Sequence, residues 1–202
     1  MVTVLSKGII IDSGIYRLYM AKAMTGSFYL TETVTIPAAS ADGTRVTGSL
    51  DLGAYVNVAT SQAVAVESVD VVVQQGGNLK QLNKDLLAGD GVISTQLTDL
   101  NPGTKFVRAD NNSLIASTSL NIDASANLAD MTVDLYPDNF GPTALSEAFM
   151  VVNDSLFFTA GVDGNNAGAA DLFVTARIKA RIAKLSQKDF VAIAIQSTAS
   201  DN

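Results

Sequence analysis

Apolar and polar residues alternate along most of this chain with a period of two, and the alternating segments are rich in Val, Ile, Thr, Tyr and Phe. Successive side chains of an extended strand point to opposite faces, so this pattern marks β-strands with one face buried. It predicts strands at Ile9–Ala21, Ser27–Ile36, Val46–Val58, Ala63–Gln74, Val92–Leu97, Lys105–Arg108, Leu114–Ile122, Met131–Tyr136, Phe149–Val152, Leu156–Ala160 and Asp171–Leu185. Turn residues separate them: Asp42-Gly43, Gly76-Gly77-Asn78, Asn101-Pro102-Gly103, Asn111-Asn112, Pro137-Asp138 and Asp163-Gly164-Asn165-Asn166.

Two stretches depart from the alternation. Asn78 is placed to cap a short helix with Leu79, Leu82 and Leu86 on one face and Gly89 at its end. A second helix is predicted from Ser186, where Asp189 completes an N-terminal cap ahead of Phe190, Ile193 and Ala194, although Val191–Ile195 also alternates like a strand. Many strands with helices only as connectors imply an all-β fold, a two-sheet antiparallel sandwich or jelly roll, with an up-and-down barrel as competitor. No repeat or linker divides residues 1–202, so a single domain is expected.

Composition changes the picture mainly through what is missing. The 202 residues are 48% hydrophobic, ample for a core, and include no His, Cys or Trp. A Ser-His-Asp triad, a thiolate nucleophile, a Cys/His zinc site and the usual haem or iron–sulfur ligation are therefore excluded. Carboxylates are numerous, but nothing marks a pair as general acid and base. The Asp163–Asn166 loop lacks the ordered spacing and closing Glu of a calcium site and reads as a turn. Asn111-Asn112-Ser113 and Asn153-Asp154-Ser155 match the short glycosylation-acceptor pattern, which recurs by chance. Clustered Tyr16, Tyr19, Phe28 and Tyr29 read as core packing. No enzyme activity, cofactor, resident metal or small-molecule substrate is expected. The apolar runs Ile9–Ile11 and Phe190–Ile195 are too short for a secretory core or a membrane span, so synthesis in the cytoplasm without a signal peptide is expected.

Charge is segregated. The formal net charge is −7, which disfavours general nucleic-acid binding. No basic residue occurs between Ala109 and Ala176, a stretch holding Asp110, Asp123, Asp130, Asp134, Asp138, Glu147, Asp154, Asp163 and Asp171. In the strand that follows, Leu172, Val174, Ala176, Ile178, Ala180 and Ile182 alternate with Phe173, Thr175, Arg177, Lys179, Arg181 and Ala183. Arg177, Lys179, Arg181 and Lys184 are the candidate interface residues. They form either a basic surface for the acidic stretch of another copy, anionic lipid or a packaged genome, or an ordinary solvated sheet face. The acidic and basic stretches can equally pair within one fold. As an interface, the stripe predicts that changing Arg177, Lys179 and Arg181 together to Gln weakens assembly and leaves the melting temperature nearly unchanged.

These features together, with Val/Thr/Ala-rich strands, no Cys and a long strand from Asp171 followed by Ser186-Gln187-Lys188-Asp189-Phe190, resemble the single jelly-roll major capsid proteins of icosahedral viruses, including internal-membrane viruses of archaea and bacteria. The resemblance covers most of the chain in overall character and transfers no individual residues. It implies a structural subunit of the virion that self-assembles with copies of itself and other capsid proteins around a genome. A cell-surface or appendage subunit, such as a surface-layer or adhesive module, and a carbohydrate-binding β-sandwich are the alternatives.

Overall fold

A computed structural model describes residues 21–79, 85–126, 128–133 and 148–198. These residues form ten strands and one helix: β1 (Lys22–Ala23), β2 (Phe28–Ile36), β3 (Arg45–Asp51), β4 (Gln62–Gln75), β5 (Gly91–Thr98), β6 (Leu114–Asp123), β7 (Leu128–Val133), β8 (Phe149–Val151), β9 (Ser155–Asp163), β10 (Leu172–Lys184) and α1 (Gln187–Thr198). All pairings between these strands are antiparallel.

The first sheet runs β2–β10–β4–β8, with β1 extending the β2 side along the end of β10; the second runs β3–β9–β5–β6–β7. Chain order therefore crosses repeatedly from one sheet to the other, and β10 returns to lie between β2 and β4. Two facing sheets ordered β2–β10–β4–β8 and β3–β9–β5–β6 are the wrap of an eight-stranded jelly roll, to which β1 and β7 are additions.

The alternation works as the sequence predicts. In β10, Leu172, Val174, Ala176, Ile178 and Ala180 are buried and face inward. They meet Leu30, Val34 and Ile36 of β2, Val64 and Val66 of β4, and Ile93, Leu97, Leu156 and Phe158 of the second sheet in one apolar cluster. These side chains join the two sheets in a continuous buried cluster. The helix from Ser186 also forms as expected: Asp189 donates its backbone N–H to the Ser186 hydroxyl (3.1 Å), which in turn donates to Asp189 Oδ2 (2.7 Å). Phe190, Ile193 and Ala194 then pack on Ala63, Val152 and Leu185, so α1 covers one end of the outer face of the first sheet.

Three expectations here need correcting, and one lies outside the described residues. The strand from Val46 ends at Asp51, not Val58, because the Asp51 carboxylate accepts the Gly53 N–H and turns the chain, and the next backbone bonds close onto Leu52. Asn78 does not cap a helix: it lies in a turn closed by a bond from Leu79 N–H to the Gly76 carbonyl, Leu79 is exposed with φ +52°, and residues 80–84 lie outside the described residues. Tyr29 is 57% exposed on the outer face, whereas Phe28 packs against the core and stacks on Tyr55 at 5.4 Å. The strand expected at Ile9–Ala21, apart from Ala21, and the side chains of Tyr16 and Tyr19 fall outside the described residues.

Lys105–Arg108 is not a strand, though it alternates like one. The segment crosses the outer face of the second sheet, and its backbone pairs with a side chain: the Gln96 amide donates to the Val107 carbonyl (2.9 Å) and its oxygen accepts the Val107 N–H (2.8 Å). Thr47 donates to the Gly103 carbonyl (2.8 Å), and Phe106 lies 4.5 Å under the Arg45 guanidinium. Gln96→Ala removes both bonds to Val107, and a loss of about 1–3 kcal/mol in unfolding free energy is expected. Hydrogen exchange of Val107 measures the release directly; unchanged protection there means that Phe106 and Thr47 hold the loop without Gln96.

Candidate functional site

The candidate cations sit on the most central strand of the first sheet. Arg177, Lys179 and Arg181 share its outer face, as the alternation predicts, and β4 and β2 supply their neighbours. Arg177 lies opposite Asp70 on β4 and Thr31 on β2, with its guanidinium 5.3 Å from the Tyr29 ring centre. One step along, the Thr33 and Thr175 hydroxyls bond at 2.9 Å.

Lys179 and Arg181 have a shared partner. The register of β4 against β10 slips between Lys179, opposite Ser68, and Ala180, opposite Val66. Glu67 is the extra residue of this β-bulge, and the bulge aims its carboxylate along the outer face. Glu67 is only 2% exposed; it forms an ion pair with Arg181, lies 3.7 Å from Lys179 Nζ and accepts the Ser27 hydroxyl at 2.8 Å. With Asp70 opposite Arg177, three cations meet two carboxylates in this row, leaving one net positive charge among the described residues. Lys184 does not belong to the row: it is exposed at the end of β10, on the opposite alternation, across from Gln62 and Lys22.

The acidic stretch is largely engaged locally. Asp163 binds Arg45 through both carboxylate oxygens (2.6 and 2.7 Å), and Gly161 leaves room for that arginine, since a Cβ there would lie 2.3 Å from its Cδ. Asp171 accepts the Ala38 N–H (2.7 Å), and Asp110 pairs with Arg108 (3.5 Å) in solvent. Bonds from Ser125 and Ala126 hold the Asp123 carboxyl below its ordinary range. Asp134, Asp138 and Glu147 lie outside the described residues.

Two further carboxylates are sheltered from solvent. Glu32 points inward at the seam of β2 and β3, in the space Gly48 leaves, and burial raises its pKa. Asp99, just past β5, is 2% exposed, and burial pushes it up to about 6 against hydrogen bonds from Ser197 and Asn153. Asn153 heads one glycosylation-like triplet, but its amide is spent on Asp99 and Ser197; Asn111, heading the other, accepts from Ser113 in a turn. The Asp163–Asn166 loop is likewise a turn, tied to Asp42. Among the described residues no three acidic side chains gather as a metal site. An open groove of 810 Å³ between the β4–β5 and β9–β10 loops is lined by Gln75, Asp85, Leu87, Asn166 and several Gly and Ala residues.

Sequence reasoning missed Glu67, Asp70 and Asp99. A signal for Glu67 is present: inward valines fall on Val64 and Val66 and then on Val69, Val71 and Val73, so the alternation changes phase by one residue at Glu67-Ser68. Nothing local marks Asp99, whose partners lie 54 and 98 positions away.

The strand order defines an all-β jelly-roll sandwich. Among solved structures it is similar to a chain of turnip yellow mosaic virus (8% identity, TM-score 0.33, covering 92% of this chain and 90% of that one). It is also similar to a chain of Desmodium yellow mottle tymovirus (11% identity, TM-score 0.30, covering 90% and 97%). A third similar chain comes from the empty head of turnip yellow mosaic virus (9% identity, TM-score 0.29, covering 92% and 90%). No protein-family model and no curated protein matches the chain in sequence.

Proposed function

We propose that this chain is a non-enzymatic building subunit of an icosahedral virus shell, assembling with copies of itself and with other shell proteins in the virion. The observation that carries the reading is the jelly roll with a continuous apolar cluster of Leu, Ile, Val and Phe between its sheets. With buried apolar side chains of both sheets joined in one cluster, the surfaces offered to partners are the outer faces, edges and loops. The contact surface proposed is the outer face of the first sheet, with Arg177 and Tyr29 at its centre, Lys179 and Arg181 beside them and Lys184 at the strand end. Exposed Tyr and Arg supply large contact area and oriented charge, and both are enriched in protein interfaces. One net positive charge suits a mildly acidic neighbouring subunit better than a nucleic-acid backbone, which would ask for several unneutralised cations.

Light scattering and negative-stain microscopy of the full purified chain across salt concentrations test the reading; closed particles of uniform size are expected. A monodisperse monomer at every salt concentration sinks it. Within this reading Arg177→Gln is expected to weaken assembly and to move the melting temperature by no more than about 2 °C, as is usual for an exposed position. The triple Gln variant does not serve that purpose, because it strips Glu67 of its partners.

A further inference from the structure

Asp99, Asn153 and Ser197 bring together three parts of the chain: the end of β5, the β8–β9 turn and the last turn of α1. Ser197 is 4% exposed and donates its hydroxyl to Asp99 Oδ2 (3.1 Å). The Asn153 amide donates to the same oxygen (3.2 Å), to the Asp99 carbonyl (3.0 Å) and to Ser197 Oγ (3.0 Å). Asp99 Oδ1 is buried and receives no hydrogen bond from any described residue. These bonds fasten the C-terminal end of α1, while Phe190 fastens its other end in the small apolar cluster with Ala63, Val152 and Leu185.

We propose that Asp99 is a proton-operated latch: its neutral carboxyl holds the end of α1 against the β5 and β8–β9 ends, and its ionisation releases the helix. Release uncovers Val152, Leu185 and Ala63 at one end of the first sheet. The physical reason is the oxygen without a donor. Ionisation places charge on Oδ1, which the docked site leaves dry, whereas the released helix admits water to it. Among the described residues no charged partner offsets this: Asp154, the next residue after Asn153, is exposed and accepts from Ser155; Arg108 and Asp110 of the β5–β6 loop pair with each other; Lys188 and Asp189 stand in the first turn of α1, more than two turns from Ser197. Burial is the largest influence on the carboxyl and pushes it from 3.8 up to about 6. The docked state thus binds the proton more tightly than the released state. Docking is strongest below the ordinary Asp range, weakens as pH rises toward 6 and is constant above that. The latch is independent of shell building.

Hydrogen exchange of the full chain at pH 5 and pH 7.5, corrected for intrinsic rates, reads the latch. The proton linkage predicts that protection of the α1 amides falls about tenfold between the two, with the β5 and β9 amides unchanged. Asp99→Asn is expected to keep one level of α1 protection at both pH values, and Ser197→Ala to lower it at both. Equal α1 protection of the unaltered chain at the two pH values overturns the proposal, as does an Asn variant that still loses protection. Should Asp99→Asn not fold, carbon-detected NMR titration of Asp99 in the unaltered chain decides: a midpoint near 6 supports the latch and one at 4 or below removes it.

Discussion

Arg181→Gln is expected to lower the unfolding free energy by about 3 kcal/mol, because it leaves the 2%-exposed Glu67 carboxylate without its principal partner. Removing one member of a buried ion pair usually costs about 3–5 kcal/mol, and the lower end applies here since Lys179 Nζ stays 3.7 Å away and the Ser27 hydroxyl still donates. The reverse change is milder. Glu67→Gln leaves a guanidinium that is 26% exposed and able to turn to water, and a loss of about 1 kcal/mol is expected. Replacing both, Glu67→Leu with Arg181→Met, removes the charges together and should recover most of the Arg181→Gln loss. Urea denaturation of the four proteins measures this ordering. A loss under about 1 kcal/mol for Arg181→Gln would mean that Glu67 is held chiefly by Lys179 and Ser27.

That ordering separates two properties which the alternation of β10 alone merges. Arg177, Lys179 and Arg181 fall on one face because strand side chains alternate, and the sequence shows this plainly. Their roles differ because β4 carries a bulge. Without Glu67 the row would have only Asp70, across from Arg177, as a carboxylate neighbour; with it, Arg181 is mainly structural, Lys179 is shared, and Arg177 with Tyr29 is left facing outward.

Residues whose environment is set by near neighbours were readable in the sequence. The inward row Leu172 to Ala180, the cap from Ser186 to Asp189 and most strand positions follow from local periodicity and capping. Features set by distant partners were not. Lys105–Arg108 has the pattern of a strand, and only the position of Gln96 on a neighbouring face turns it into a loop bonded to a side chain. Asp163 reads as one more acid in an acidic run until β3 places Arg45 beside it. The phase change at Glu67-Ser68 is the intermediate case: it is written locally, but as a fault in the alternation rather than as a motif.

Phe158→Ala is expected to cost about 3–5 kcal/mol, near the upper end of that range. Phe158 is 1% exposed on β9, the strand between β3 and β5, with Gly48 on one side and Leu97 on the other. The removed ring leaves a cavity that its neighbours are poorly placed to fill. Gly48 has no side chain to move in, and the room above it is already taken by the tips of Glu32 and Val34. Closing the gap therefore needs the sheets to approach, which the packed rows of Ile178, Leu156 and Ile93 resist. Phe157→Ala, one residue away on the outer face and half-buried, serves as the control and should cost less than about 2 kcal/mol. Paired urea and thermal unfolding give both values. If Phe158→Ala costs no more than its neighbour, the two sheets are not close-packed against each other, and the continuous apolar cluster that supports a building role for this jelly roll fails with it.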